Sequence, residues 1–263
     1  MTLERLKRKW RLFITDKARW RRNFKLFSKT LRRVIYGAVF IALGYLVHRY
    51  VPPQHLPWKP LNVEAPLGLS TKIQLMRVSL SPSNTCMTLA RDAAKMQSIP
   101  AEPRDGKGPC GWTVARLMYG TDNVSFAPGE TALQCPLALG QYMWLREVNK
   151  AALNHLGSGV AKVHHAGSYS CRRQRGNGSG AWSEHAFANA LDVTGFTLKD
   201  GRVISVLRDW KGRDGADKAE RRRFLKEARD QGCKIFRVTL SPDFNAAHHD
   251  HFHFDMGPST SCR

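Results

Sequence analysis

Ser183-Glu184-His185-Ala186-Phe187-Ala188-Asn189-Ala190-Leu191-Asp192-Val193-Thr194-Gly195-Phe196 joins two signals in one run: a histidine and a carboxylate seven residues apart, then an apolar stretch of strand character. Ala190 to Phe196 and Arg202 to Val206 are apolar runs around Lys199-Asp200-Gly201, a hairpin turn signal. Asp192 is therefore expected on a strand, a rigid support for a ligand. Upstream, Val160 to Tyr169 alternates as a strand and delivers Ser170-Cys171-Arg172. Downstream, Ala216 to Gly232 reads as a charged helix with Phe224 and Leu225 facing inward, and Lys234 to Leu240 as a further strand. The clearest helix runs from Pro136 to Leu156. Leu137, Leu139, Tyr142, Leu145, Val148 and Leu153 fit one buried face, proline starts it and Gly157 ends it. Alternating helices and hairpins predict an α+β fold, a mainly antiparallel sheet flanked by helices.

A second cluster, His248-His249-Asp250-His251-Phe252-His253, follows the loop Ser241-Pro242-Asp243-Phe244-Asn245 and holds four of the ten histidines. With the first run it supplies the inventory of a mononuclear zinc hydrolase. A catalytic zinc takes three protein ligands, commonly imidazole nitrogen and carboxylate oxygen, and leaves a position for water. His185, Asp192 and His253 supply those three ligands. The water needs a base within hydrogen-bond reach, and Asp250 and His251 are the two candidates. In an extended strand His251 and His253 share a face while Asp250 and Phe252 point the other way, which favours His251; a bulge or turn would bring Asp250 round instead. His248 and Ser183 are candidate substrate contacts, and Asp255 could orient His253.

The stretch Ser183 to Asp192 resembles the first metal motif of the zinc peptidase superfamily of D-alanyl-D-alanine carboxypeptidases and murein endopeptidases. Those proteins close the site with an acid three residues before the last histidine or with a His-x-His pair, and here the two arrangements overlap. Where that superfamily often carries glycine, this chain has Phe187 and Ala188. Gly167 to Arg172, Ser183 to Ala186, Asp200 to Val206 and Asn245 to Asp255 are in turn similar, in order and spacing, to the bacterial extensin-like C-terminal family, over about Cys86 to Arg263. The resemblance implies a DD-peptidase-like zinc hydrolase domain, a Zn2+ cofactor and peptidoglycan stem peptides as substrate class. It also implies an arginine near the strand end that binds substrate or stabilises the oxyanion. Arg172 matches that location, with Arg173 and Arg175 as competitors. The rival expectation is a wall-binding or structural envelope protein that keeps the fold without turnover.

The 263 residues carry 42 basic and 21 acidic side chains. Residues 1–33 hold 13 of the bases and two of the acids. Leu3, Leu6, Trp10, Phe13, Trp20, Phe24, Phe27 and Leu31 recur at helical spacing among them, so a helix gathers an apolar stripe with cations on its other faces. Such a helix suits the surface of an anionic leaflet. The chain shows no base-reading module, and no nucleic-acid partner is expected. Val34 to Val47 then run without a charge, flanked by Arg32, Arg33 and Arg49 that snorkel and by Tyr36, Tyr45 and Tyr50 suited to the interface. The long preceding segment and the Pro52-Pro53 that follows favour an uncleaved anchor over a signal peptide. The positive-inside rule keeps the N-terminus cytoplasmic and places the remainder in the periplasm, a single pass through the inner membrane.

All six cysteines lie beyond that segment, which reads as disulfides in an oxidising compartment. The expected pairs are Cys86–Cys110, Cys135–Cys171 and Cys233–Cys262. Residues 51–80 contain five prolines and little periodicity and read as a tether. The organisation expected is a basic cytoplasmic segment (1–33), an anchor (34–50), a proline-containing linker (51–80) and an extensin-like zinc peptidase-like domain (81–263) that opens with a cap and short helix near Ser81.

Overall fold

The computed structural model describes residues 3–81, 83–174, 178–211 and 216–263, with the side chains of 3–19, 21–27 and 216 outside the description. Two units result, Met1–Pro52 and Pro53–Arg263. The first is one helix, α1 (Leu3–Tyr50), continuous through both the basic segment and the apolar run. Its portion Ser28–Tyr50 is 23 residues, long and apolar enough to cross a membrane. The helical backbone expected for the apolar stripe is present. The side chains of Leu3, Leu6, Trp10, Phe13, Phe24 and Phe27 lie outside the described residues.

The second unit opens with α2 (Thr71–Ser79) and α3 (Ser83–Asp92). Six strands follow: β1 (Met96–Ala101), β2 (Arg104–Asp105), β3 (Gly111–Trp112), β4 (Ala115–Thr121), β5 (Val124–Ala127) and β6 (Thr131–Gln134). Then come α4 (Cys135–Leu156), β7 (Val160–Gly167), β8 (Ala190–Leu198), β9 (Val203–Ser205), α5 (Val206–Asp209), α6 (Ala216–Cys233), β10 (Val238–Leu240), β11 (Phe252–Asp255) and β12 (Ser261–Cys262). The main sheet runs β1-β4-β5-β7-β8-β11-β10-β12, with β6 on β4 and β9 on β8. Only β5·β7 and β10·β12 pair in parallel among the described strands, so the α+β, mainly antiparallel expectation holds.

Helix α4 forms the spine of the core. Leu137, Leu139, Tyr142, Trp144, Leu145 and Val148 are all buried, and Gly157 ends the helix at φ 67 with its N–H on the Leu153 carbonyl. Leu153, expected inside, is 51 % exposed, while its neighbours Ala152 and Leu156 take the inward positions. The β8–β9 hairpin forms around Gly201 at φ 88, a conformation glycine enters without steric cost. The strand expected over Lys234 to Leu240 is confined to β10, because Ile235 and Phe236 turn inward off the end of α6, their N–H groups bonded to the Gly232 carbonyl.

Two expectations are corrected. Residues 53–80 are no tether. Leu56, Leu61, Val63, Leu75 and Val78 are buried, Gln74 donates to the Pro53 and Leu56 carbonyls, and Arg146 of α4 donates to the carbonyls of Val63 and Ala65. These contacts hold the segment against the domain, and the compact unit begins at Pro53 rather than Ser81. The disulfides are Cys86–Cys135, Cys110–Cys171 and Cys233–Cys262, so only the last pair is as expected. Cys86 on α3 faces the start of α4, and the β2–β3 hairpin end meets the segment after β7, which leaves the other two pairings no route.

Leu75 is fully buried in the core. Leu75→Ala removes a packed side chain and is expected to cost about 2–5 kcal/mol, read by urea denaturation of the full chain. A tether would give a change near zero.

Candidate metal centre

The site is built on the pairing of β8 with β11, where Asp192 lies directly opposite His253. Phe252 and Phe254 point from β11 into the core against Trp210 and Trp144, so strand alternation sends His253 and Asp255 to the other face. The third residue comes from a short 3-10 turn, Glu184–Phe187. Ser183 caps that turn, its Oγ accepting from the His185 N–H at 3.4 Å. Ala188 closes it in the left-handed region at φ 53, and it is fully buried. An L side chain costs roughly 1–2 kcal/mol in this conformation. Gln134 supports the turn from outside, its Nε2 donating to the Phe187 carbonyl at 3.0 Å and its N–H to the Ala188 carbonyl at 2.8 Å.

His185, Asp192 and His253 converge, their nearest donor atoms within 4.8 Å of one another. His185 Nε2 lies 3.2 Å from Asp192 Oδ2 and 3.2 Å from His253 Nδ1, and His253 Nδ1 lies 2.9 Å from Asp192 Oδ1. The outward ring nitrogens fix what the inward ones can do. His185 Nδ1 faces the Ser168 carbonyl at 3.2 Å and His253 Nε2 faces Asp255 Oδ2 at 2.9 Å. Both partners only accept, so both outward nitrogens carry the proton. Two imidazole lone pairs and a carboxylate then point at one another. Such a set repels itself unless a cation, a proton or a metal ion, sits among them. Separations near 3 Å suit a tetrahedral ion with bonds of roughly 2.0–2.2 Å. The residues present therefore fit a zinc ion, with Asp255 and the Ser168 carbonyl orienting the two rings.

The electrostatics carry the same signature. Burial would raise the Asp192 carboxyl, but hydrogen bonds from His185 and His253, with their charges, hold it well below the usual carboxylate range. Burial would depress His253, yet the carboxylates of Asp192 and Asp255 on either side raise it to about 9. A proton is thus the cation of this set when no metal competes.

The other candidates are placed unequally. His251 lines the groove at this centre, of about 740 Å3, with its Nε2 3.6 Å from Asp192 Oδ1. Asp250 is turned away, its Oδ1 2.8 Å from His251 Nδ1, and lines a separate cleft with His164 and Arg208. His248 sits over the centre, its ring 5.1 Å from His251 and 5.8 Å from His253, with Nδ1 on Asn245 Oδ1 at 2.7 Å. Burial, then the charges of His253 and His251, lower it to about 4. Ser183 lines the groove but its hydroxyl is engaged with the turn. Arg172 lines the groove mouth; Arg173 instead stacks on Trp182 at 4.3 Å, and Arg175 lies outside the described residues. His249 is exposed and bonds the Ala246 carbonyl. Sequence reading passed over Glu184, whose half-buried carboxyl accepts from Asn189 Nδ2 at 2.6 Å and is raised chiefly by burial. It also left Ser168 unnoticed; nothing local marks a backbone carbonyl as a ring's partner.

The His253 shift fixes a pH dependence. Its folded value, about 9, exceeds the unfolded value of roughly 6.5, so its contribution is complete below the latter and lost as pH rises through the former. With chelator present, the thermal midpoint is expected to fall between pH 7 and 10. A zinc ion held here would take the proton's place, so saturating zinc is expected to abolish that fall, with about one proton released per ion at pH 7 by calorimetry in two buffers. An identical alkaline fall with and without zinc would contradict the metal assignment.

No curated protein and no solved structure matches the chain. The profile of the family described as extensin-like protein C-terminus matches residues 84–263, a span that contains α3 from its second residue on, the whole sheet and every residue of the centre. The chain belongs to the extensin-like protein C-terminus family.

Proposed function

We propose that the chain is a membrane-anchored zinc-dependent peptidase that hydrolyses an amide bond of peptidoglycan, in a stem peptide or cross-link, on a DD-peptidase-like domain. The observation that carries this reading is the convergence of two imidazole lone pairs and a carboxylate at the floor of an open groove. His185 Nε2, Asp192 and His253 Nδ1 would hold the ion. Bound zinc would act as a Lewis acid, polarising a carbonyl and acidifying a water.

The chain's own groups divide the remaining work. The Asp250 carboxyl is held below its ordinary range chiefly by the hydrogen bond from His251. It therefore retains the proton on His251 Nδ1 and leaves Nε2 as the base facing the groove. Nε2 takes a proton from the attacking water and returns it to the departing amine. Arg172 at the mouth offers a fixed cation to a substrate carboxylate or to charge developing on the carbonyl oxygen. His248, uncharged at neutral pH, presents its ring to the bound peptide.

The three disulfides suit an oxidising compartment, and Ser28–Tyr50 suits an anchor. Together they support a periplasmic domain on a single inner-membrane span with its cationic N-terminal segment on the anionic cytoplasmic face. The companion reading is a wall-binding protein of the same fold, in which the acceptor cluster is structural.

Zinc content of the full chain and mass spectrometry of digested peptidoglycan separate the two. The peptidase is expected to hold about one zinc and release new muropeptides. His185→Ala should lose both. His251→Ala should keep the ion and lower turnover by about 10²–10⁴-fold, and Asp250→Asn by about 10–100-fold. Zinc without new products would establish the binding protein instead.

A further inference from the structure

Beside the groove of the candidate centre lies a second cleft of about 540 Å3, walled by Leu80, Trp112, Val114 and Met256. Three residues, Glu184, Gly257 and Pro258, line both. The partition between the clefts is therefore built of single residues that face each side. Its construction is specific. A Cβ on Gly257 would lie 2.5 Å from Glu184 Cδ, so the Glu184 side chain lies against bare backbone. Asn189, lining the second cleft, donates to that carboxylate, while its own Oδ1 is buried without a partner. Pro258 is held by Arg237, which donates to the Pro258 and Ser259 carbonyls.

The two clefts differ in character. The first carries the imidazoles and Asp192. The second carries apolar surface left in solvent, with Leu80 84 % and Val114 37 % exposed, and the buried Cys86–Cys135 disulfide behind it. A site that trims a chain end needs room on one side of the reacting bond. A site that cuts inside a chain needs binding surface on both, and energy from the far side can be used to position the bond.

We propose that the second cleft is the distal half of the substrate site. The substrate is then a peptide held on both sides of the reacting bond, the bridge between two wall peptides rather than a free C-terminal residue. The inference rests on the peptidase reading above and adds the direction in which substrate leaves the centre. Short aliphatic side chains would lie on Leu80, Trp112 and Val114, and the Glu184 carboxylate would meet a peptide N–H as the chain crosses the partition.

The test uses the full chain in detergent and two soluble probes prepared from peptidoglycan with a muramidase, an uncross-linked muropeptide and a cross-linked dimer. Binding is measured calorimetrically on the His251→Ala background. The dimer is expected to bind about tenfold more tightly, a difference of roughly 1.4 kcal/mol. Leu80→Arg and Val114→Arg, at solvent-exposed positions, should each erase that preference, with monomer affinity and zinc content unchanged. Equal affinity for the two probes, or variants that weaken both alike, would overturn the second cleft while leaving the peptidase reading intact. Zinc retention with no binding of either probe would remove the peptidoglycan reading, and this inference with it.

Discussion

Three hydrogen-bond acceptors aimed at one another are the constraint on which this structure turns. His185 Nε2, the Asp192 carboxylate and His253 Nδ1 lie about 3 Å apart in a largely buried place, where poor solvation magnifies their repulsion. Such an arrangement persists only if the backbone over-determines it and a cation neutralises it. The backbone does so through the register of β8 and β11, which sets Asp192 against His253 by ladder hydrogen bonds rather than by side-chain preference. A slip of β11 by one residue would put Phe252 or Phe254 in the groove and His253 in the core.

That register is secured from behind. Phe254 packs 4.8 Å from Trp144 and 4.7 Å from Phe236, and Phe252 packs 5.5 Å from Trp210. All five rings are at most 2 % exposed, and each contributes roughly 1.5–3 kcal/mol of burial for a side chain of this size. Trp144 finds its polar partner in the Ala228 carbonyl and Trp210 in Asp243, so neither ring leaves an unsatisfied N–H. The aromatic layer and the acceptor cluster are two faces of one strand pair. Period-two alternation lets one satisfy the hydrophobic effect while the other carries the charge.

The same alternation explains what could be read from the chain alone. Apolar runs at Val160, Ala190 and Arg202 stand out because hairpins with Gly201-type turns advertise themselves locally, and α4 does so through its proline and glycine ends. His185, Asp192 and His253 stand out by motif. By contrast β1 and β4 are interrupted by Pro100 and Gly120, and the pairings of β4 with β1 and β6 and of β5 with β7 span intervening elements, so no local period reports them. Residues 53–80 misled for a physical reason. Prolines signal an extended tether when nothing covers them, and here Leu61, Val63 and Leu75 have α4 to cover them. Cysteine pairing depends on that long-range packing and was legible only for Cys233–Cys262. The placement of the two candidate bases was partly legible: alternation put His251 beside His253, and the turn before β11 leaves Asp250 behind it.

The groove's two rims are fastened by different means, and the difference bears on what each can contribute. The rim carrying His248 is tied to α6: Asp243 accepts from Trp210 Nε1 at 2.8 Å and from Lys226 Nζ at 2.5 Å, and Lys226 lies 3.6 Å from the Trp210 ring centre. From that anchor Asn245 caps the next turn and holds His248 by Nδ1. The opposite rim, with Arg172, is tied by the Cys110–Cys171 disulfide and by Arg173 on Trp182. Here the fixings adjoin the functional residue, yet the long cationic side chain itself is exposed. Groups that must meet the reacting atoms within fractions of an ångström belong on the strands and the braced rim, where little entropy remains to be lost. A cation that acts by field rather than by contact tolerates more freedom. Asp192, His253 and His251 occupy the first kind of position, His185 sits on a turn pinned by Ser183 and Gln134, and Arg172 occupies the second, which is the division of labour their proposed roles require.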